Sequence, residues 1–103
     1  MLLDKVKVRK SLEREKIISE VCEYYSMPTE NINIKRRTHP LREARQIIMY
    51  ILNIQYRHKS TEIAKALSMD HTTVLYNCQA VQNMLDTNYL PADHIIYKYI
   101  KKS

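Results

Sequence analysis

Asp70, His71, Thr72 and Thr73 stand consecutively, and their side chains cover the chemistry needed to read a base edge in the major groove. The Asp70 carboxylate can accept from cytosine N4, and the His71 imidazole can donate. Each threonine brings a hydroxyl that donates or accepts and a methyl that packs on thymine C5. The same Asp-x-x-Thr spacing also suits a plain helix N-cap, with His71 a solvated neighbour, so the tetrad alone leaves both readings open.

Placing the tetrad requires a helix. Val74, Cys78, Val81 and Leu85 recur at i, i+4, i+7 and i+11, which predicts a helix capped by Asp70 and closed by Asp86-Thr87-Asn88. Before it, Thr61 to Leu67 reads as about two turns capped by Ser60, burying Ile63, Ala64 and Leu67. A short helix, a turn at Ser68-Met69 and a longer helix make a helix-turn-helix, although the turn lacks the glycine often found there. In such a motif the second helix offers its first residues to base edges.

The surrounding elements are also helical. A loose basic arm is expected over 1–10, followed by a helix from Ser11 carrying Leu12, Ile17, Ile18, Val21, Cys22 and Tyr25, and ending at Ser26 and Pro28. Thr29 caps a single turn holding Ile32. Lys35 to Pro40 reads as a basic loop, and Pro40 opens a central helix to about Tyr56 whose apolar stripe includes Leu41, Ala44, Ile48, Ile51, Leu52 and Ile54. Tyr56 to Lys59 is a polar connection. Pro91 starts a last helix with Ile95, Ile96, Tyr99 and Ile100 inward. No segment alternates long enough for a strand, so the expected fold is all-α, a small domain of about five to six helices over 11–103.

Composition narrows the function. The 103 residues contain no glycine, which excludes a glycine-rich phosphate loop, a dinucleotide fingerprint, a nucleophile elbow and an EF-hand. No nucleotide or other cofactor is therefore expected. His39, His58, His71 and His94 have no Cys or His partner at i+3 or i+4, so neither a metal site nor an enzyme is expected. Cys22 and Cys78 both fall on apolar stripes and read as reduced core thiols. The longest apolar run, Ile47 to Leu52, is too short to cross a bilayer, and the N-terminus lacks the pattern of a signal peptide. The default location is the cytoplasm, at the nucleoid.

The net charge of +6 suggests a polyanionic partner. From Lys35 to Tyr76 the balance is +5, carried by Lys35, Arg36, Arg37, Arg42, Arg45, Arg57, Lys59 and Lys65, against +1 for the rest. The excess is therefore concentrated in the middle of the chain. The eight tyrosines could suggest base stacking, but Tyr25, Tyr50 and Tyr99 fall on or beside apolar stripes, where packing explains them.

Asp70-His71-Thr72-Thr73-Val74 resembles the signature of the DNA-binding C-terminal domain of the bacterial replication initiator DnaA. Glu23-Tyr24-Tyr25, Lys35-Arg36-Arg37, Ala44-Arg45-Gln46 with Met49, and Glu62-Ile63 recur in the same order, so the likeness covers roughly Ile17 to Leu85. It implies a Trp-repressor-like, DnaA C-terminal type of helical domain that binds a double-stranded DnaA box in replication initiation or its regulation. Asp70, His71, Thr72 and Thr73 would read the major groove and Arg37 the adjacent minor groove. Arg45 and Gln46 would contact DNA beside the signature. Ser60 and Thr61 would grip the backbone, with Lys35, Arg36 and Tyr76 as further backbone or positioning contacts.

The chain departs from that pattern at Leu67-Ser68-Met69, where Gly-Gly-Arg is usual, at Gln79-Ala80, where a basic pair is usual, and at Tyr76, where histidine is common. A weaker phosphate grip follows. A chain of this kind without a nucleotide-binding module would bind DNA but not drive initiation with ATP. Duplex DNA is the expected partner and replication proteins are possible further ones, with no membrane partner and a monomer favoured. Rival readings are a helical protein-interaction adaptor, a transcriptional regulator without DnaA-box specificity, and a binder of structured RNA.

Overall fold

The computed structural model describes residues 2–33, 39–87 and 93–100, and over these all regular structure is helical. The order is α1 (Leu2–Tyr24), a 3₁₀ turn (Thr29–Asn33), α2 (His39–Tyr50), a π-helical continuation (Ile51–Gln55), α3 (Ser60–Ala66), α4 (His71–Asp86) and α5 (Asp93–Ile100). The all-α expectation holds.

The core gathers the apolar side of each of these elements. Ile17, Val21 and Cys22 of α1 and Ile32 of the 3₁₀ turn meet Ala44, Ile47, Ile48, Ile51 and Leu52 of the central helix. Ile63, Ala64 and Leu67 close one side, Val74, Cys78, Val81 and Leu85 of α4 another, and Ile95 and Ile96 of α5 the end. Truncating a fully buried isoleucine such as Ile48 to alanine in a core like this costs about 2–5 kcal/mol.

The expected loose arm is replaced by helix, because α1 begins at Leu2 and Ser11 lies inside it. Residues 2–10 contain neither glycine nor proline, so nothing in them interrupts a helix. Lys10 Nζ also reaches Glu62 of α3 at 2.9 Å, which ties this stretch to the fold from 52 residues away. Leu12, expected on the core stripe, is 60% exposed, since the core does not extend that far along α1.

The central helix widens where the sequence predicts plain α-helix. The Tyr56 N–H bonds the Ile51 carbonyl, five residues back, and the His58 N–H bonds that of Leu52. Such a turn holds one residue more than an α-turn and shifts the side chains beyond it around the axis. Ile54, inside this segment, is exposed and not on the apolar stripe.

His58, expected in a polar connection, is buried. Arg57 before it takes a left-handed conformation (φ 57°), folding the chain back under the central helix. The His58 Nε2 meets Glu13 Oε1 of α1 at 3.2 Å, and its carbonyl accepts from Asn53 Nδ2 at 3.1 Å.

Without glycine, the helix ends use other residues at left-handed positions. Ser26 (φ 55°) follows α1 and Ser68 (φ 56°) follows α3. At each the pair of backward bonds typical of a Schellman ending is present. Met27 N bonds Cys22 O and Ser26 N bonds Glu23 O, while Met69 N bonds Ala64 O and Ser68 N bonds Lys65 O. Cys22 and Cys78 are both buried and free, and burial raises both thiol pKa values, that of Cys78 to about 11.

Candidate nucleic-acid interface

α3, the turn through Ser68-Met69 and α4 form the expected helix-turn-helix. Lys59, with an extended backbone (φ −68°, ψ 148°), is the N-cap of α3 and Ser60 the first helical residue, so Ser60 is not the cap. Glu62 supplies the reason, since its carboxylate accepts from the Lys59 N–H at 3.4 Å and fixes the entry one residue earlier. Ser60 is half-buried and Thr61 exposed in this first turn.

α4 starts as the tetrad predicts. Asp70 has cap geometry (φ −79°, ψ 145°) and its carbonyl accepts from Val74 N–H at 3.2 Å. Its carboxylate makes no capping hydrogen bond, so Asp70 holds the cap position without its side chain being spent on the helix end. Asp70, His71, Thr72 and Thr73 are all exposed, and Val74 directly after them is buried. The tetrad thus faces outward on the first turn of a helix whose opposite side is fixed in the core.

A relay of side-chain amides sets that first turn against α2. Gln46 Nε2 donates to Asn77 Oδ1 at 2.9 Å, and Asn77 Nδ2 donates to the Thr73 carbonyl at 2.8 Å. Gln46 is only 8% exposed. Expected as a contact beside the signature, it lies between α2 and α4, where its amide bonds Asn77. Asn77 itself was not singled out by sequence. Its spacing of four from Thr73 was the available sign, since a polar side chain there returns to the helix backbone.

Arg45 is half-buried and its Nε donates to the Ile32 carbonyl at 2.7 Å, fastening α2 to the 3₁₀ turn. Burial lowers its pKa. Arg45 and Arg42 border a depression of about 270 Å³ beside α4, floored by Met49 and Met69 and walled by Thr73, Tyr76 and Asn77. Tyr76 is 68% exposed at its rim. The structure therefore brings Thr73, Tyr76, Arg42 and Arg45 to one edge, with His71 and Thr72 on the neighbouring exposed turn. The contacts expected of Lys35, Arg36 and Arg37 lie outside the described residues.

Among the described residues no group of three or more His, Cys, Asp or Glu side chains could hold a metal, and no helix is long and apolar enough to cross a membrane. An exposed polar turn edged by arginines is suited to binding.

Comparison with known proteins agrees. Residues 14–81 match the family described as the bacterial dnaA protein helix-turn-helix. The chromosomal replication initiator protein DnaA of Chloroflexus aggregans is 28% identical over 81 residues, which is 78% of this chain and 17% of that protein. The same protein from two strains of Chloroflexus aurantiacus is 27% identical over 81 residues. The chain thus spans 17% of the length of these curated relatives. No solved structure was found to match it.

Proposed function

Since the chain belongs to the bacterial DnaA helix-turn-helix family, a DNA-binding family, we propose that it binds duplex DNA sequence-specifically, at DnaA-box-like sites, in replication initiation or its regulation. The observation that carries this reading is the outward tetrad at the start of α4, with the Asp70 carboxylate outside any cap bond and the turn braced by Gln46 and Asn77.

In this reading α4 enters the major groove. Asp70 accepts from a cytosine amine, His71 donates or accepts according to its tautomer, and Thr72 and Thr73 use hydroxyl and methyl together. Arg37 follows the minor groove. Lys35, Arg36 and Arg45 meet phosphates, with Ser60, Thr61 and Tyr76 adding neutral contacts that fix orientation. Gln46 acts at one remove, through Asn77. The role is binding rather than catalysis, with duplex DNA the partner and replication proteins possible further ones.

The test compares box-containing and shuffled duplexes at two salt concentrations. Thr72→Ala or His71→Ala should cost about 1–3 kcal/mol on the preferred duplex and little on the shuffled one. Lys35→Ala should weaken both alike and lower the salt slope by about one. Equal affinity of the wild-type chain for both duplexes would refute sequence-specific binding. A helical adaptor would bind neither, and a structured-RNA binder would prefer A-form helices.

A further inference from the structure

α4 carries more exposed apolar surface than its packing needs. Val74, Cys78, Val81 and Leu85 are buried and complete its inner side, yet Leu75 is 51% exposed and Tyr76 68%. Thr72, Leu75, Tyr76 and Gln79 follow at i, i+3, i+4 and i+7, so they share one face, and all four are exposed. Between Asp70 and Asp86 the helix has no Asp, Glu, Lys or Arg. This outward stripe is therefore neutral and partly apolar, while Arg42 and Arg45 stand to its side.

A neutral stripe cannot neutralise phosphates, and its apolar part gains nothing from them. In a major groove the apolar group on offer is the thymine C5-methyl. The rise of about 1.5 Å per residue puts Leu75 roughly 4.5 Å along the helix from Thr72, more than one base-pair step of about 3.4 Å and less than two. Leu75 is thus placed to meet the pair next to the one Thr72 addresses.

We propose that Leu75 is a specificity-determining residue that packs its side chain against the C5-methyl of a thymine one base-pair step beyond the pair met by Thr72. The inference rests on the duplex-reading function above and extends the reading surface into the second turn of α4. Tyr76, beside it at the rim of the depression, keeps its place toward the backbone.

The experiment begins by selecting the preferred duplex of the full chain from a randomised pool. Each thymine of that duplex is then replaced singly by deoxyuridine, which removes only the methyl. Dissociation constants are measured by fluorescence anisotropy for the wild-type chain and for Leu75→Ala, with helix content checked by circular dichroism. The wild-type chain should lose about three- to fivefold in affinity at one or two positions, the effect of one buried methyl. Leu75→Ala should lose a comparable factor on the thymine duplex and be indifferent to deoxyuridine at one of those positions.

A preferred duplex whose affinity ignores every deoxyuridine overturns the inference and leaves the duplex-reading function standing. A Leu75→Ala chain that keeps the full wild-type sensitivity at every position does the same. Failure of the pool to enrich any sequence overturns sequence-specific reading, and this inference with it. The deoxyuridine series on the wild-type chain does not depend on how well the variant folds.

Discussion

Gln46→Leu offers the most direct check on how the first turn of α4 is held. Leucine has nearly the volume of glutamine, so the change removes the amide without opening a cavity. It deletes the 2.9 Å bond to Asn77 Oδ1. A neutral bond of this kind contributes about 0.5–1.5 kcal/mol net. Asn77 is half-buried, so water can reach its abandoned oxygen, which keeps the added penalty near the low end of the roughly 1–3 kcal/mol range.

The sum is about 1.5–2.5 kcal/mol, and at roughly 4–8 °C per kcal/mol for a domain of this size the Tm should fall clearly. Thermal denaturation followed by circular dichroism measures it. Asn77→Ala removes the same bond from the other side, so the double variant should be less destabilised than the two singles added together, by about 1 kcal/mol. Additive effects would refute the relay. So would a Gln46→Leu protein that loses DNA affinity with an unchanged Tm, because Gln46 would then be reaching the duplex itself.

Three further outcomes follow from local geometry. Ser68→Gly should raise stability by about 0.5–1 kcal/mol, because the left-handed position after α3 carries a side chain that glycine lacks, and Ser68→Val should lower it; chemical denaturation reads both. Burial holds the Cys78 thiol up at about 11, so at pH 8 its reaction with a disulfide reagent should be slower than that of a free thiol by about two orders of magnitude, and unfolding should restore the ordinary rate. The Lys10 ammonium lowers the Glu62 pKa below its ordinary value near 4.5, so their pairing stabilises the fold above that pH and is lost as pH falls through the lowered value. The stability difference between wild type and Glu62→Gln, at most about 1 kcal/mol for a solvent-screened pair, should shrink from pH 7 to pH 3 in parallel melts.

Much of this was legible in the sequence, and the gaps have physical causes. α4 could be read in advance because Val74, Cys78, Val81 and Leu85 repeat at helical spacing and no other element competes for them. The exposure of the tetrad followed from the same phase. The first ten residues could not be read this way, because basic and apolar residues alternate along them and one anchor of the resulting helix is a carboxylate 52 residues distant. Ile54 departs from its expected place through the winding of its helix, and His58 through the left-handed turn at Arg57. Periodicity assumes a constant winding, and the central helix changes its winding at Ile51–Gln55. Gln46 shows a different limit, since spacing indicates a side of a helix but not whether an amide there turns out to solvent or in to a neighbour.

The widened winding also acts as a phase shifter between two parts of the molecule. The first half of the central helix carries Gln46 and so sets the azimuth of α4, while its last turn leads through Arg57 and His58 into α3. An α-helical residue turns the chain by about 100°, so deleting one residue from 51–55 would swing everything downstream by about that angle relative to Gln46. The angular setting of the helix-turn-helix against its own scaffold thus depends on a single supernumerary residue well away from any base it would touch.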